Sequence, residues 1–400
     1  MSRILYGLFA AGLTVLSAYS AGAQLAPPRT LDELKVETQA RADRNAYPIT
    51  GLKPDNVREA LSNIHSLDRD EWAAAWSAIA ARYDAKAKSE EANHQPTDAQ
   101  ADYRQAWRLY SFARWPVTNS PGKLKAYQQA LAAFRNYARF MDPPLEIVRI
   151  PFEGKAIVGY LRLPKGVQAA PVVMTISALD SRKEDNAEHS DAYIRRGIAV
   201  FSLDMPGTGE APIKVDLGAE RMFSAALDYL QARPELDKTR MAVESGSWGG
   251  YWSAKLAFIE KDRLKGVVSQ SGPVDGYFSP EWQRTALGTR EYLFDLFPAR
   301  ASVYGVSTLD DFLAYGPRMS LKTEGYLGKP TAPMLLIGGN NDTQVPVGDT
   351  DLLLHSGTPK DAWINPGGGH MGRSADWPDG KIFEQIVVPW IARQLGTGAS

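Results

Sequence analysis

"TRMAVESGSWGGYWSAKLAFIE", residues 239–260, decides how this chain is read. Its first six residues form a strand-like apolar run, its middle is small and tight, and its last ten recur at helical spacing. Strand, sharp turn and helix form the context in which the elbow motif G-x-S-x-G exposes a nucleophilic serine. Here the motif reads Ser245-Gly246-Ser247-Trp248-Gly249, with Gly250 following and a serine in place of the first glycine. Small neighbours are required because the serine backbone is strained and the turn crowds the next helix.

On both sides of this stretch, short apolar runs alternate with helical ones. "PVVMTIS", "IAVFSLD", "LKGVVSQS", "APMLLIGG" and "AWINPG" read as strands. The segments through "SDAYIRRG", "SAALDYLQARP" and "KIFEQIVVPWIARQL" read as helices. Such alternation predicts an α/β fold with a mostly parallel sheet covered by helices on both faces. Ahead of it, "LEIVRIPF" and "AIVGYLRLP" flank Glu153-Gly154 and predict an antiparallel hairpin. Between Gly272 and about Thr331 the alternation gives way to aromatic, turn-rich sequence, which reads either as extra surface helices or as an insertion forming part of a lid (273–330).

Residues 30–140 carry almost no strand-like alternation. Three stretches, "DNVREALSNI", "RDEWAAAWSAIAARYDAKAKSEEA" and "PGKLKAYQQALAAFRNYARFMD", repeat apolar positions every three or four residues. Asp70 is placed to cap the second helix, Pro121-Gly122 opens the third, and Asp142-Pro143-Pro144 stops the helical part. The N-terminus has Arg3, a short apolar run and the small-residue site Ala21-Gly22-Ala23-Gln24, the pattern of a cleaved export signal. The expected organisation is a signal peptide at 1–23, a helical N-terminal domain at 24–143 and a catalytic domain at 144–400, in a periplasmic or secreted protein with no membrane span after the signal is removed.

Composition narrows the chemistry. The net charge of −1 gives no electrostatic case for nucleic acid. With no cysteine, disulfides, thiolate metal sites and cysteine nucleophiles are excluded. There is no H-x-H or H-E-x-x-H spacing for a metal.

A serine nucleophile needs a base, and the base an orienting acid; on this fold they follow in the order Ser, Asp or Glu, His. Of the five histidines, His65, His94 and His189 precede Ser247, and His355 in "TDLLLHSG" reads as a helix end. His370, in the glycine-rich "NPGGGHMGR" after a late strand, is the expected base. Asp342, just past the strand in "MLLIGGNNDTQVP", is the expected acid; Asp349 and Asp351 compete but read as solvated residues of the next helix. The oxyanion needs two backbone N–H donors. Trp248 supplies one, and the loop after "PVVMTIS" supplies the other from Ala178 or Leu179.

With "SALDSRKED" (177–185), "LDMPGTGE" (203–210), "RPELDKTRMAVESGSWGG" (233–250) and "YRQAWRLYSFARWP" (103–116), the chain resembles the α/β-hydrolase superfamily over nearly its whole length. More narrowly it is similar to the branch with a helical N-terminal domain, which includes the dihydroxypseudooxynicotine hydrolase and fermentation-respiration-switch esterase types. The resemblance implies that the helices close over the carboxyl edge of the sheet, with Tyr103, Trp107, Tyr110 and Trp115 lining a substrate cavity. It also implies that Asp180, Lys183, Glu184 and Asp204 brace the loops around the oxyanion hole. The expected function is a cofactor-independent serine hydrolase cleaving an ester or related acyl compound, its substrate a small molecule, bulky or aromatic. The alternatives are carbon–carbon bond hydrolysis beside a ketone with the same triad, a peptidase, and a non-catalytic binding protein.

Overall fold

The computed structural model of the protein describes residues 27–398. The expected signal peptide therefore lies outside the described residues. Five helices come first: α1 (Leu31–Asp43), α2 (Pro54–Ser62), α3 (Arg69–Ala92), α4 (Pro96–Ala113) and α5 (Pro121–Ala138). Tryptophans and phenylalanines fill the space between them; Trp72, Trp76, Trp107, Phe112 and Phe134 are all buried in one core. That core reaches the sheet through Tyr160, on which Phe134 stacks with ring centroids 5.3 Å apart.

Capping here departs from the sequence expectation. Asp68, not Asp70, caps α3, its carboxylate accepting from the Asp70 and Glu71 N–H groups. Asp70 instead accepts from Gly122 N–H at 2.8 Å and so caps the start of α5. The two acids lie two residues apart, and only the approach of α5 decides which helix end each one serves.

An eight-stranded sheet follows, built from β1 (Leu145–Phe152), β2 (Lys155–Arg162), β3 (Ala170–Ile176), β4 (Ala199–Leu203), β5 (Leu236–Gly246), β6 (Leu264–Gln270), β7 (Met334–Gly339) and β8 (Asp361–Asn365). Their order across the sheet is β1-β2-β4-β3-β5-β6-β7-β8. The first hairpin pairs Phe152 with Lys155 across a two-residue turn. Glu153 and Gly154 both take positive φ there, +48° and +76°, the geometry whose twist matches the flanking strands. From β4 onward the pairs are parallel.

Helices cover both faces, so strand residues are apolar on both. Val172, Met174, Met241 and Val243 face α8 (Arg221–Ala232) and α9 (Trp248–Ile259), while Val173, Ala242 and Val268 face Tyr193, Trp390 and Ile391. Ahead of β4 lie α6 (Lys183–Glu188) and α7 (Asp191–Ile194), the latter shorter than "SDAYIRRG" led one to expect. The long C-terminal helix is also broken, by a π segment at Phe383–Val387. Pro389 explains this, since it has no N–H to return to the preceding turn and its ring crowds that turn's carbonyl. Between β6 and β7 run α10 (Pro280–Leu287), α11 (Leu296–Tyr304) and α12 (Leu309–Tyr315), filling the segment read as extra helices or a lid.

Candidate active site

Ser247 sits between β5 and α9 with φ +53° and ψ −132°, a conformation that costs on the order of 1–3 kcal/mol for a residue with a side chain. Neighbouring backbone holds it there: Ser247 N–H donates to the Gln270 carbonyl at 2.8 Å, and Gly250 N–H donates to the Ser247 carbonyl at 2.8 Å. The serine at the first elbow position has a defined task. Ser245 Oγ donates to the Ile176 carbonyl at 2.7 Å and lies over Gly249. A Cβ at Gly249 would fall on Ser245 Oγ and come within 2.6 Å of the Ser177 carbonyl oxygen, so this position admits only glycine.

His370 follows β8 and Asp342 follows β7, both at the carboxyl edge where sites in open α/β sheets form. His370 Nε2 lies 2.9 Å from Ser247 Oγ. Its Nδ1 lies 2.9 Å from Asp342 Oδ2 and 3.1 Å from Oδ1. The Asp342 carboxylate also accepts from the N–H groups of Gln344 and Val345 at 2.8 and 2.9 Å. Burial pushes the Asp342 carboxyl up, but His370 and these N–H groups outweigh it and hold the carboxyl below its ordinary range. Ser247, Asp342 and His370, far apart in sequence, are thus brought into one chain of contacts.

The end of β6 fixes the histidine loop. Gln270 Nε2 donates to the Met371 carbonyl at 2.7 Å, and Met371 N–H donates to Ser271 Oγ at 3.0 Å. Arg373 Nε reaches back to the His370 carbonyl at 2.9 Å. Sequence reasoning missed Gln270, Ser271 and Arg373; the signal that pointed to the first two is the polar "SQS" at the end of an otherwise apolar strand.

The two candidates for the second oxyanion donor are distinct. Ala178 N–H is committed to Ser181 Oγ at 2.8 Å, whereas no acceptor lies on the Leu179 N–H among the described residues. Trp248 opens α9, where its N–H has no partner within the helix, and its buried ring packs against Tyr251, Tyr277, Phe278 and Tyr304. Beneath the loop after β3, the fully buried Lys183 ammonium lies 3.0 Å from Asp204, 2.8 Å from Glu184 and 2.7 Å from Glu210. Asp204 also accepts from the Lys183 and Glu210 N–H groups, so this network pins the loops after β3 and β4 together.

Two expectations need correction. Asp349 is not solvated: it is 2% exposed, and its carboxylate accepts from four consecutive N–H groups, Val274 through Tyr277. Even so, burial leaves its carboxyl above the ordinary range. It anchors the start of the segment after β6. The aromatic residues assigned to the cavity also divide. Tyr103 donates to Glu91, Trp107 packs on Phe134 and Tyr137, and Tyr110 is buried in the same helical core, so these three hold helices together. Helical spacing put them on an inward face, and the helices themselves occupy that face. Of the four, Trp115 alone reaches the loop after β3, its Nε1 donating to Asp180 at 3.1 Å. Arg114 donates to the Asp180 carbonyl at 2.6 Å beside it, so the helical part rests on the loop after β3.

Among the described residues, no group of three or more His, Asp or Glu stands close enough to hold a metal. No helix among them is long and apolar enough to cross a membrane.

The Esterase FrsA-like family matches residues 56–362. Esterase FrsA of Escherichia coli O81 (strain ED1a) is 28% identical over 413 residues, covering 96% of this chain and 95% of its own. Esterase FrsA of Vibrio cholerae serotype O1 (strain ATCC 39541 / Classical Ogawa 395 / O395) is 28% identical over 324 residues, 76% of each chain. Among solved structures, 2,6-dihydroxy-pseudo-oxynicotine hydrolase is similar with a TM-score of 0.72 at 20% identity, over 86% of this chain and 93% of that one, which speaks to the fold. The elbow, the mostly parallel sheet and the helical N-terminal part accord with these likenesses: the chain belongs to the FrsA-like esterase family of α/β-hydrolases, as an esterase-type hydrolase.

Proposed function

We propose that this hydrolase works through a Ser247–His370–Asp342 triad and an acyl-enzyme. The observation that carries the reading is the single imidazole bridging Ser247 Oγ and the Asp342 carboxylate at 2.9 Å on each side. Ionised Asp342 keeps the ring proton on Nδ1, leaving Nε2 free to accept the serine proton. Ser247 Oγ then bonds to the acyl carbon, and the displaced oxygen charge falls to the N–H groups of Trp248 and Leu179. Collapse breaks the ester bond, His370 returns its proton to the leaving alcohol, and a water repeats the sequence to release the acid.

Leu179 is preferred to Ala178 because the Ala178 N–H is already spent on Ser181. The helical part and α10–α12 are assigned the role of closing the site, with Arg114 and Trp115 meeting the loop after β3 at Asp180. Export directed by the segment around Arg3 belongs to the same proposal and rests on its charge and apolar pattern. A fluorophosphonate probe tests the chemistry: one adduct on Ser247 is expected, and an undiminished adduct on Ser247→Ala would overturn the assignment.

A further inference from the structure

A cavity of about 440 Å³ opens beside the loop after β3, and Leu179 forms part of its wall. Three cationic side chains line it, Lys155, Arg182 and Lys214, together with the backbone of Gly207-Thr208-Gly209; no acidic residue does. Each lysine keeps donors to spare. Lys155 Nζ donates one hydrogen bond to the Pro212 carbonyl at 2.9 Å, and Lys214 Nζ one to the Ser302 carbonyl at 3.0 Å. An ammonium group has three N–H donors, so two remain on each.

Arg182 is 4% exposed and gives its Nη1 to the carbonyls of Leu179 and Ser181. Its Nε–H is buried without a partner among the described residues. That N–H is closed off from solvent, so Arg182 contributes its charge to the cavity wall rather than this donor. The nearby carboxylates are committed elsewhere, since Asp204 and Glu210 both lie against Lys183. Burial also lowers the Lys214 ammonium's proton affinity, as it does for a cation facing no counter-charge.

We infer that this cavity binds the anionic end of the substrate, a carboxylate or phosphate held by Lys155, Lys214 and Arg182 while the ester lies against Leu179 and Ser247. The inference rests on the serine reading for the position of the ester. Binding energy gathered at the distant anion would hold the acyl carbon in reach of Ser247. Preferred substrates are therefore esters whose acyl or alcohol part carries a second, ionised acid group.

The test compares p-nitrophenyl hemiglutarate with p-nitrophenyl butyrate on the full chain and on the Lys155→Gln/Lys214→Gln pair. Glutarate and inorganic phosphate are titrated separately by calorimetry. The expected result is anion binding to the unmodified protein that weakens at least tenfold in the pair. The kcat/KM preference for the hemiester should fall at least tenfold with it, while Lys261→Gln leaves that preference as it was. Phosphate binding tighter than glutarate would assign the pocket to a phosphate end, and the reverse to a carboxylate end. Absence of anion binding, or an unchanged preference in the pair, overturns the inference. Calorimetry needs no turnover, so anion binding without ester cleavage would spare the pocket and sink the serine reading. Ser247 labelling without anion binding would do the opposite.

Discussion

Ser245 Oγ donates to the Ile176 carbonyl at 2.7 Å, and through that bond the strand that ends just before Ser247 is stitched to the strand that leads into the Ala178–Leu179 loop. Ser245→Gly restores the usual elbow glycine but removes this bond. The expected loss is about 0.5–1.5 kcal/mol in a urea denaturation series, with turnover changed only a few-fold. Gly249→Ala should be far worse, because its methyl group meets both Ser245 Oγ and the Ser177 carbonyl. Combining the two substitutions relieves only the first clash, so the double variant should stay impaired; full recovery would mean that the loop after β3 yields easily.

Removing members of the triad should abolish most turnover without unfolding the protein. Ser247→Ala and His370→Ala are each expected to lower kcat by several orders of magnitude, and Asp342→Asn by about 10⁴-fold through the wrong histidine tautomer. Steady-state kinetics on a chromogenic ester, with circular dichroism as a control, checks this. A loss under tenfold for His370→Ala would point to a different base.

Lys183→Met should destabilise strongly. It strands the buried carboxylates of Asp204 and Glu184 and the Glu210 carboxylate without their shared cation. Breaking a buried ion pair from one side removes about 3–5 kcal/mol, measurable as a lower urea midpoint at unchanged slope. A change below 1 kcal/mol would mean the network does not brace the two loops.

Glu244 gives a pH signature. Burial pushes its carboxyl up to about 7 despite the hydroxyl hydrogen bond from Tyr193. A carboxyl raised in the folded state binds its proton more tightly there than in the unfolded chain. Its contribution is therefore fully present below the unfolded value and is lost as pH rises through about 7. Part of the residue keeps contact with solvent, so the loss is on the order of 1–2 kcal/mol. Melting temperature should fall between pH 5 and 8, and Glu244→Gln should flatten that fall. Parallel curves for the two proteins would remove Glu244 as the cause.

The N-terminal segment makes a simple prediction. Sequencing of the exported protein should begin near Gln24. A start at Met1 would remove the export reading.

Much of the architecture was legible because strand and helix periods are local properties. The hairpin at Glu153-Gly154, the parallel strands and the placing of Ser247, Asp342 and His370 at strand ends all follow from short stretches and chain order. What was not legible depends on partners distant in sequence. Asp68 and Asp70 look alike as caps until α5 arrives, and the Asp349 carboxylate looks solvated until residues 274–277 fold over it. Tyr103, Trp107 and Tyr110 show the same limit, since spacing names the face a residue occupies and not the neighbour that covers it. Gln270 and Ser271 read as the tail of a strand because their hydrogen-bonding partner lies a hundred residues on.

Ser247 and His370 both hang from the same strand end. Gln270 accepts the Ser247 N–H through its carbonyl and steadies Met371 through its side chain, while Ser271 holds Met371 from the other side. The long excursion through α10, α11 and α12 begins immediately afterwards and returns at β7. It leans on the site from outside, Tyr277, Phe278 and Tyr304 against the Trp248 ring and Trp282 and Arg300 against Gln344, while the Ser247–His370 distance is held by Gln270 and Ser271. A change inside the excursion is therefore felt first through the Trp248 ring and Gln344, and only through them at Ser247 and Asp342.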